Sequence, residues 1–304
     1  MEPINTENRN RYALVTGATS GIGYEICRLL AADSYNLILV ARNAERLQEI
    51  ADQLKQEFSI EVTPMAKDLF TITAAKEIYE SVQQMRVPID ILVNDAGQGE
   101  WGPFIETDLQ RDIDIIQLNI ISLVALTKYF LKDMVARNEG KILQLGSEAG
   151  TTPVPLLSIY AATKAFVLSF SAALANELKD TNITITALLP GATDTDFFHK
   201  AKQEETVVYQ ETQLAEPAEV AKDGYDALKR GESKIISGAK TKMHVFMSDL
   251  LGARLGAANM KRQMKPSKKA KTKKEPSHAP SREEREDINR QTGDEDGDIS
   301  QNNG

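Results

Sequence analysis

The chain is expected to fold as an α/β domain, a doubly wound parallel sheet with helices on both faces, followed by a charged tail. Three observations predict this. Short runs that are nearly all apolar alternate with longer runs of helical period, the pattern of a parallel sheet covered on both sides. The first apolar run leads directly into a glycine-rich turn and a helix. The residues with chemistry to offer fall at the carboxyl ends of the apolar runs, where such sheets hold ligands.

Taken in order, Tyr12–Thr16 reads as the first buried strand, Gly17–Gly23 as the turn, and Tyr24–Ala32 as a helix with Ile26, Leu29 and Leu30 on one side. Strand Leu37–Val40 precedes a helix over Ala44–Phe58, which is rich in helix formers. Strand Val62–Met65, helix Thr73–Met85 and strand Ile89–Val93 repeat the alternation. A long helix is expected from Asp108 to Asn138, then strand Lys141–Leu145, a helix from Tyr160 to Lys179 and strand Ile183–Leu188. Gly191–Glu216 breaks the pattern and is expected to form a mobile lid. Pro217 and Glu219 open a helix that runs to Arg230, and Lys234–Ser237 closes the sheet. The sheet domain thus covers residues 1–240. Residues 241–260 read as a helical extension, in which Val245, Phe246, Leu250, Leu251 and Leu255 pack on the domain, on a partner or on a membrane surface. Residues 261–304 carry a basic run (Lys268 to Lys274) and then an acidic end (Asp294 to Asp298), the composition of a disordered tail.

The totals narrow the function. A chain of 304 residues buries one substantial core, and 41% apolar residues is ordinary for a globule. A net charge of −8 argues against a nucleic-acid partner. Cys27 is the only cysteine, which suits a reducing cytoplasm, and reads as a small buried residue. No unbroken apolar run approaches the length of a membrane span, and the polar start is unlike a signal peptide. His199, His244 and His278 lack the spacing of metal ligands, so no metal is expected.

Tyr160 and Lys164 are four residues apart and so share one helix face. A phenol near pKa 10 handles protons poorly at neutral pH, and a cation close by favours its anion. Lys164 is placed to supply that cation, making Tyr160 a usable acid/base, and Ser147 is placed to hydrogen-bond the oxygen on which it acts. Strand, turn and helix around Gly17, Gly21 and Gly23, with Thr19 and Ser20 as extra donors, suit a pyrophosphate. The second strand ends Val40-Ala41-Arg42-Asn43 without the acid that would take the ribose of NAD, and Arg42 is placed for a 2′-phosphate, with Arg46 nearby. NADP(H) is therefore favoured over NAD(H).

The pieces TGATSGIG (16–23), Asp68-Leu69, NDAG (94–97), Asn119, Ser147, YAATK (160–164) and PGATDT (190–195) together resemble the short-chain dehydrogenase/reductase family over about residues 10 to 240. The resemblance implies a Rossmann-like fold and oxidation or reduction of an alcohol/carbonyl pair. It implies Tyr160 as acid/base, Lys164 lowering its pKa and holding the nicotinamide ribose, Ser147 positioning substrate, and Asn119 anchoring a water for proton relay. By the same resemblance, Ile22 belongs to the phosphate turn, Asp68 and Leu69 flank the adenine, and Asn94, Ala96 and Gly97 the adenosine ribose. Pro190, Gly191, Thr193 and Thr195 then lie at the nicotinamide. Asp95 stands where the family more often has asparagine. The family pattern also suggests a homodimer or homotetramer.

Gln98, Glu100, Trp101, Phe104, Pro153, Val154, Leu156, Phe197 and Phe198 are expected to line a largely apolar substrate pocket. A carbonyl reductase acting on a small, hydrophobic molecule is the reading these residues favour. The alternative is a dinucleotide-binding regulator or scaffold that acts through its C-terminal tail. Separately, peripheral membrane contact through Met243 to Lys274 would change location rather than activity.

Overall fold

In a computed structural model, which describes residues 10–267, seven strands form a single parallel sheet in the order β3-β2-β1-β4-β5-β6-β7. They are β1 (Tyr12–Thr16), β2 (Asn36–Ala41), β3 (Val62–Ala66), β4 (Ile89–Asn94), β5 (Gly140–Leu145), β6 (Ile183–Leu189) and β7 (Lys234–Ile236). Helices α1 (Gly21–Ala32), α2 (Ala44–Phe58) and α3 (Ala74–Met85) connect the first four strands. Because successive side chains of a strand point to opposite faces, β1 sends Ala13 and Val15 to one core and Leu14 to the other. The first core includes Ile26 and Leu30 of α1 and Leu47 and Leu54 of α2; the second includes Ile78 of α3. The expected doubly wound sheet is present, with strand boundaries one residue longer at several ends.

The strand order reverses between β1 and β4, and a crevice opens outside their carboxyl ends. Thr16 joins the two strand ends there. Its Oγ1 accepts from the backbone N–H groups of Asp95 and Ala96, both at 3.1 Å.

The long helix expected over 108–138 runs as α4 (Leu109–Ile116), a π-helical stretch (Gln117–Ser122) and α5 (Leu123–Arg137). Such widened turns occur mostly at functional sites, and this one carries Asn119. On α5, Phe130 is fully enclosed and meets Tyr79 edge-on at 5.5 Å. Truncating Phe130 to alanine should cost about 3–5 kcal/mol of stability, read as a lower denaturant midpoint with an unchanged slope.

Helix α6 (Ser158–Glu177) begins two residues before the expected start at Tyr160. Both Leu109–Arg137 and Ser158–Glu177 reach the length and mean hydropathy of a membrane span, which a search for unbroken apolar runs overlooks. Each is in contact with the sheet.

The segment 191–216, expected as a lid, contains two short helices, α7 (Phe197–Lys200) and α8 (Val207–Glu211), and α9 (Pro217–Arg230) leads to β7. The extension is one helix, α10 (Ala239–Gln263), longer than the expected 241–260. Val245 is buried beneath it, while Met243, Phe246, Leu250 and Leu255 face outward. The tail boundary expected at Lys261 falls inside this helix. Met264 to Ser267 run back beside the start of α8, with Val207 N–H donating to Lys265 O at 2.9 Å and Thr206 bridging Pro266. The remaining tail residues, 268–304, lie outside the described residues.

Candidate active site

A single cavity of about 870 Å³ crosses the carboxyl edge of the sheet. At one end are Gly17, Thr19, Ser20, Gly21 and Ile22. Gly17 (φ +72°) and Gly21 (φ +57°) adopt backbone that favours glycine. A Cβ on Gly17 would stand 2.6 Å from Asp95 Oδ2, and one on Gly21 2.9 Å from Thr195 Cγ2. Ser20 is the N-cap of α1, yet its hydroxyl makes no capping bond. The turn therefore offers a bare backbone cradle and free donors at a helix start, a donor set suited to a pyrophosphate.

Beyond the turn, the wall carries Arg42, Arg46 and Lys67, together with Asp68, Leu69 and Phe70. The Arg42 guanidinium lies 5.0 Å over the Phe70 ring. Arg46 is paired with Glu49 and Lys67 with Glu77, whereas no ion pair holds Arg42 among the described residues. Phe70 and Lys67 were not foreseen; only the pairing of β2 with β3 brings them beside Arg42.

Ser147, Tyr160, Lys164, Ala96, Gly97, Pro190, Gly191, Thr193 and Thr195 continue the wall. Ser147 follows β5 and caps the 3-10 turn Glu148–Gly150, its Oγ accepting from Ala149 N–H at 3.1 Å. Lys164 Nζ donates to Leu145 O at 2.6 Å and lies 5.7 Å from the Tyr160 ring centroid.

Three predicted residues stand behind this wall. Gly23 packs under the turn, where a Cβ would meet Asp95 Oδ2 at 2.5 Å. Asn94 is buried, its amide donating to Thr127 and Gln144. Asn119 donates to Gln98 O and Thr163 Oγ1, both at 2.9 Å, and accepts from Gln98 N–H at 3.0 Å. These residues shape the cavity through backbone and side-chain support.

The electrostatics depart from expectation. Burial pushes the Tyr160 phenol up to about 12; the Ser147 hydroxyl eases this, and the Asp95 and Glu148 carboxylates add to it. The expected lowering by Lys164 is absent from this balance. Burial lowers the Lys164 ammonium to about 8 against the pull of Asp95, and raises the Asp95 carboxyl to about 7 against the pull of Lys164. Asp95 is thus an electrostatic partner of Lys164, a role that an asparagine would lack.

The far end of the cavity is lined by Val154, Leu157, Phe197, Phe198, Gln203 and Val208, with Met260, Gln263 and Met264 arriving from α10 and the residue after it. Of the expected pocket residues, Gln98, Val154, Phe197 and Phe198 are in place. Glu100 instead pairs with Lys202 and Arg111, and Phe104 is exposed. Trp101 supports the wall from behind, donating from Nε1 to Met264 O at 2.8 Å. Pro153 and Leu156 also lie off the wall. The contribution of Met260 and Met264 carried no local signal, since they reach the site from about a hundred residues downstream of Tyr160.

The reversed strand order, the glycine cradle and the cavity beside them define a dinucleotide-binding α/β protein of the Rossmann type. Residues 11–206 match the family model described as short chain dehydrogenase, and the chain belongs to that family of dehydrogenases and reductases. A probable NADP-dependent dehydrogenase of Haemophilus influenzae is 38% identical over 69% of this chain and 84% of its own. An NADP-dependent 3-hydroxy acid dehydrogenase of Schizosaccharomyces pombe is 31% identical over 74% of this chain and 89% of its own. Among solved structures, a short-chain dehydrogenase of Sphingobium yanoikuyae in complex with NADPH superposes with a TM-score of 0.71. It is 28% identical, and the match covers 85% of this chain and 99% of that one.

Proposed function

We propose that the protein reduces a ketone or aldehyde on a largely apolar substrate, with NADPH as reductant. The observation that carries this reading is the meeting of Ser147, Tyr160 and Lys164 in the wall of one cavity, between the glycine cradle and the apolar chamber. The NADP-dependent names of the two relatives, and the NADPH in the similar structure, support the choice of cofactor.

Bound NADPH supplies the hydride. As a carbonyl carbon accepts it, negative charge builds on the oxygen, and the Ser147 and Tyr160 hydroxyls donate hydrogen bonds to that charge. Tyr160 then gives up its proton to complete the alcohol. A phenol held near 12 stays protonated across the neutral range, the form that reduction requires. Lys164 keeps a positive charge beside the phenolate left behind. Asn119 orients the backbone at Gln98 and steadies the helix face below Thr163 through the bonds described above.

Asp95→Asn removes the charge that holds the Lys164 pKa up. The loss of kcat/KM on the alkaline side, as Lys164 gives up its proton near pH 8, should therefore begin at lower pH in the variant. A pH profile from about 6 to 10 checks this; an unmoved or upward-shifted limb contradicts it. The reading as a whole is tested by following NADPH absorbance with ketones, aldehydes and 3-oxoacyl esters. No turnover of any class would remove it.

Exposed Ile113, Ile116 and Ile121 before α5, with Phe166 on α6, offer an apolar face for a second copy, so a homodimer or homotetramer is part of this proposal. The sole thiol, on buried Cys27, is in keeping with a cytoplasmic location.

A further inference from the structure

Gln203 is held tightly and yet left incomplete. Its backbone N–H donates to Phe198 O at 2.8 Å, and its carbonyl accepts from Thr206 N–H and from Thr206 Oγ1. The side chain is 1% exposed and belongs to the cavity wall among Phe198, Val208 and Met264. Its Nε2 has no hydrogen-bond partner among the described residues. Four other buried side-chain oxygens share that state, on Asn94, Thr152, Thr184 and Thr186, and none of these residues lines the main cavity.

A buried amide N–H without an acceptor is costly, and native proteins keep few of them. Carried by a residue in the wall of a largely apolar chamber, whose other polar side chain at this end is Gln263, it matches a ligand that brings its own acceptor. Resting on the reductase reading, we propose that Gln203 is a substrate-binding residue that donates from Nε2 to a second carbonyl oxygen. The substrate class is then an apolar chain bearing the reacting ketone and an acid or ester carbonyl, rather than a simple ketone. The reacting oxygen belongs to Ser147 and Tyr160; the second oxygen belongs to Gln203.

The test uses the full chain and three compounds, each assayed with NADPH: ethyl 3-oxohexanoate and nonan-4-one, which match in length and ketone position, and the shorter acid 3-oxohexanoate. In the wild type, one or both 3-oxo compounds should exceed nonan-4-one in kcat/KM by about tenfold or more. Gln203→Met keeps the bulk and removes the donor. It should lower kcat/KM about tenfold for the favoured 3-oxo compound, leave nonan-4-one within about twofold, and leave the melting temperature unchanged or higher, since no folded-state bond is lost. Whether the ester, the acid or both respond identifies the source of the second oxygen. An equal loss on all three compounds, or an unchanged ratio, overturns the role of Gln203 while leaving the reductase reading intact. No turnover of any of the three by the wild type overturns the proposed substrate class, while the reductase reading itself falls only if the wider panel of ketones, aldehydes and 3-oxoacyl esters also fails. Should Gln203→Met fail to fold, Gln203→Glu serves instead, and it must discriminate against 3-oxohexanoate more than against nonan-4-one.

Discussion

Tyr160→Phe should lower kcat by about 10²–10⁴-fold, the range of a positioned acid/base, while the Kd for NADPH stays within about twofold of the wild type. The change removes one oxygen from a ring that packs 4.8 Å from Phe197 and leaves that packing in place. In the proposed mechanism this hydroxyl, beside Ser147, passes the proton to the new alkoxide. Stopped-flow or steady-state NADPH oxidation measures the first quantity, and fluorescence titration of the cofactor the second. A variant that keeps most of its turnover would move the proton donor elsewhere. One that loses cofactor binding would turn the tyrosine into a structural residue.

Arg42→Ala should weaken NADPH about ten- to hundredfold and NADH far less. A guanidinium pairing with a phosphate makes charge-assisted bonds of about 1.5–3 kcal/mol, which is that range of affinity. The other two cations of this wall are already engaged, Arg46 with Glu49 and Lys67 with Glu77, and neither carries a planar fork free to close on a phosphate. Arg42 sits over Phe70 instead, positioned without being neutralised. Adding Ala41→Asp should move the preference further, because a carboxylate there accepts from a free ribose and repels a phosphorylated one. Equal weakening of the two dinucleotides by Arg42→Ala would show that the arginine does not read the phosphate.

Much of this site was legible before the fold was known because its parts are local. Tyr160 and Lys164 are joined by one helical turn, and the glycines at 17 and 21 by one tight turn. The strands announced themselves because a sheet covered on both faces must be apolar on both. What stayed hidden depends on distant pieces of chain. Glu100, Trp101 and Phe104 follow β4 closely in sequence, yet an ion pair turns the first away, the second supports the wall from behind, and the third faces outward. The widened turn at Asn119 has no composition of its own to signal it. The direction of the Tyr160 shift also depends on distant pieces of chain. Spacing alone places Lys164 near the phenol, while burial of the ring and the charge on Asp95, from another strand end, set the balance.

The order of strands and helices, the glycine cradle, the Tyr160–Lys164 pair and the cation at the end of β2, Arg42, follow from residue type and short spacing. Each depends on contacts made within a few residues, which a linear chain already contains. The depth of the chamber, the electrostatic link from Asp95 to Lys164, the closing wall of Met260 and Met264, and the unpaired amide of Gln203 were decided only by tertiary packing. Burial and solvent exclusion are properties of surfaces that meet, and those surfaces come from segments far apart in the chain.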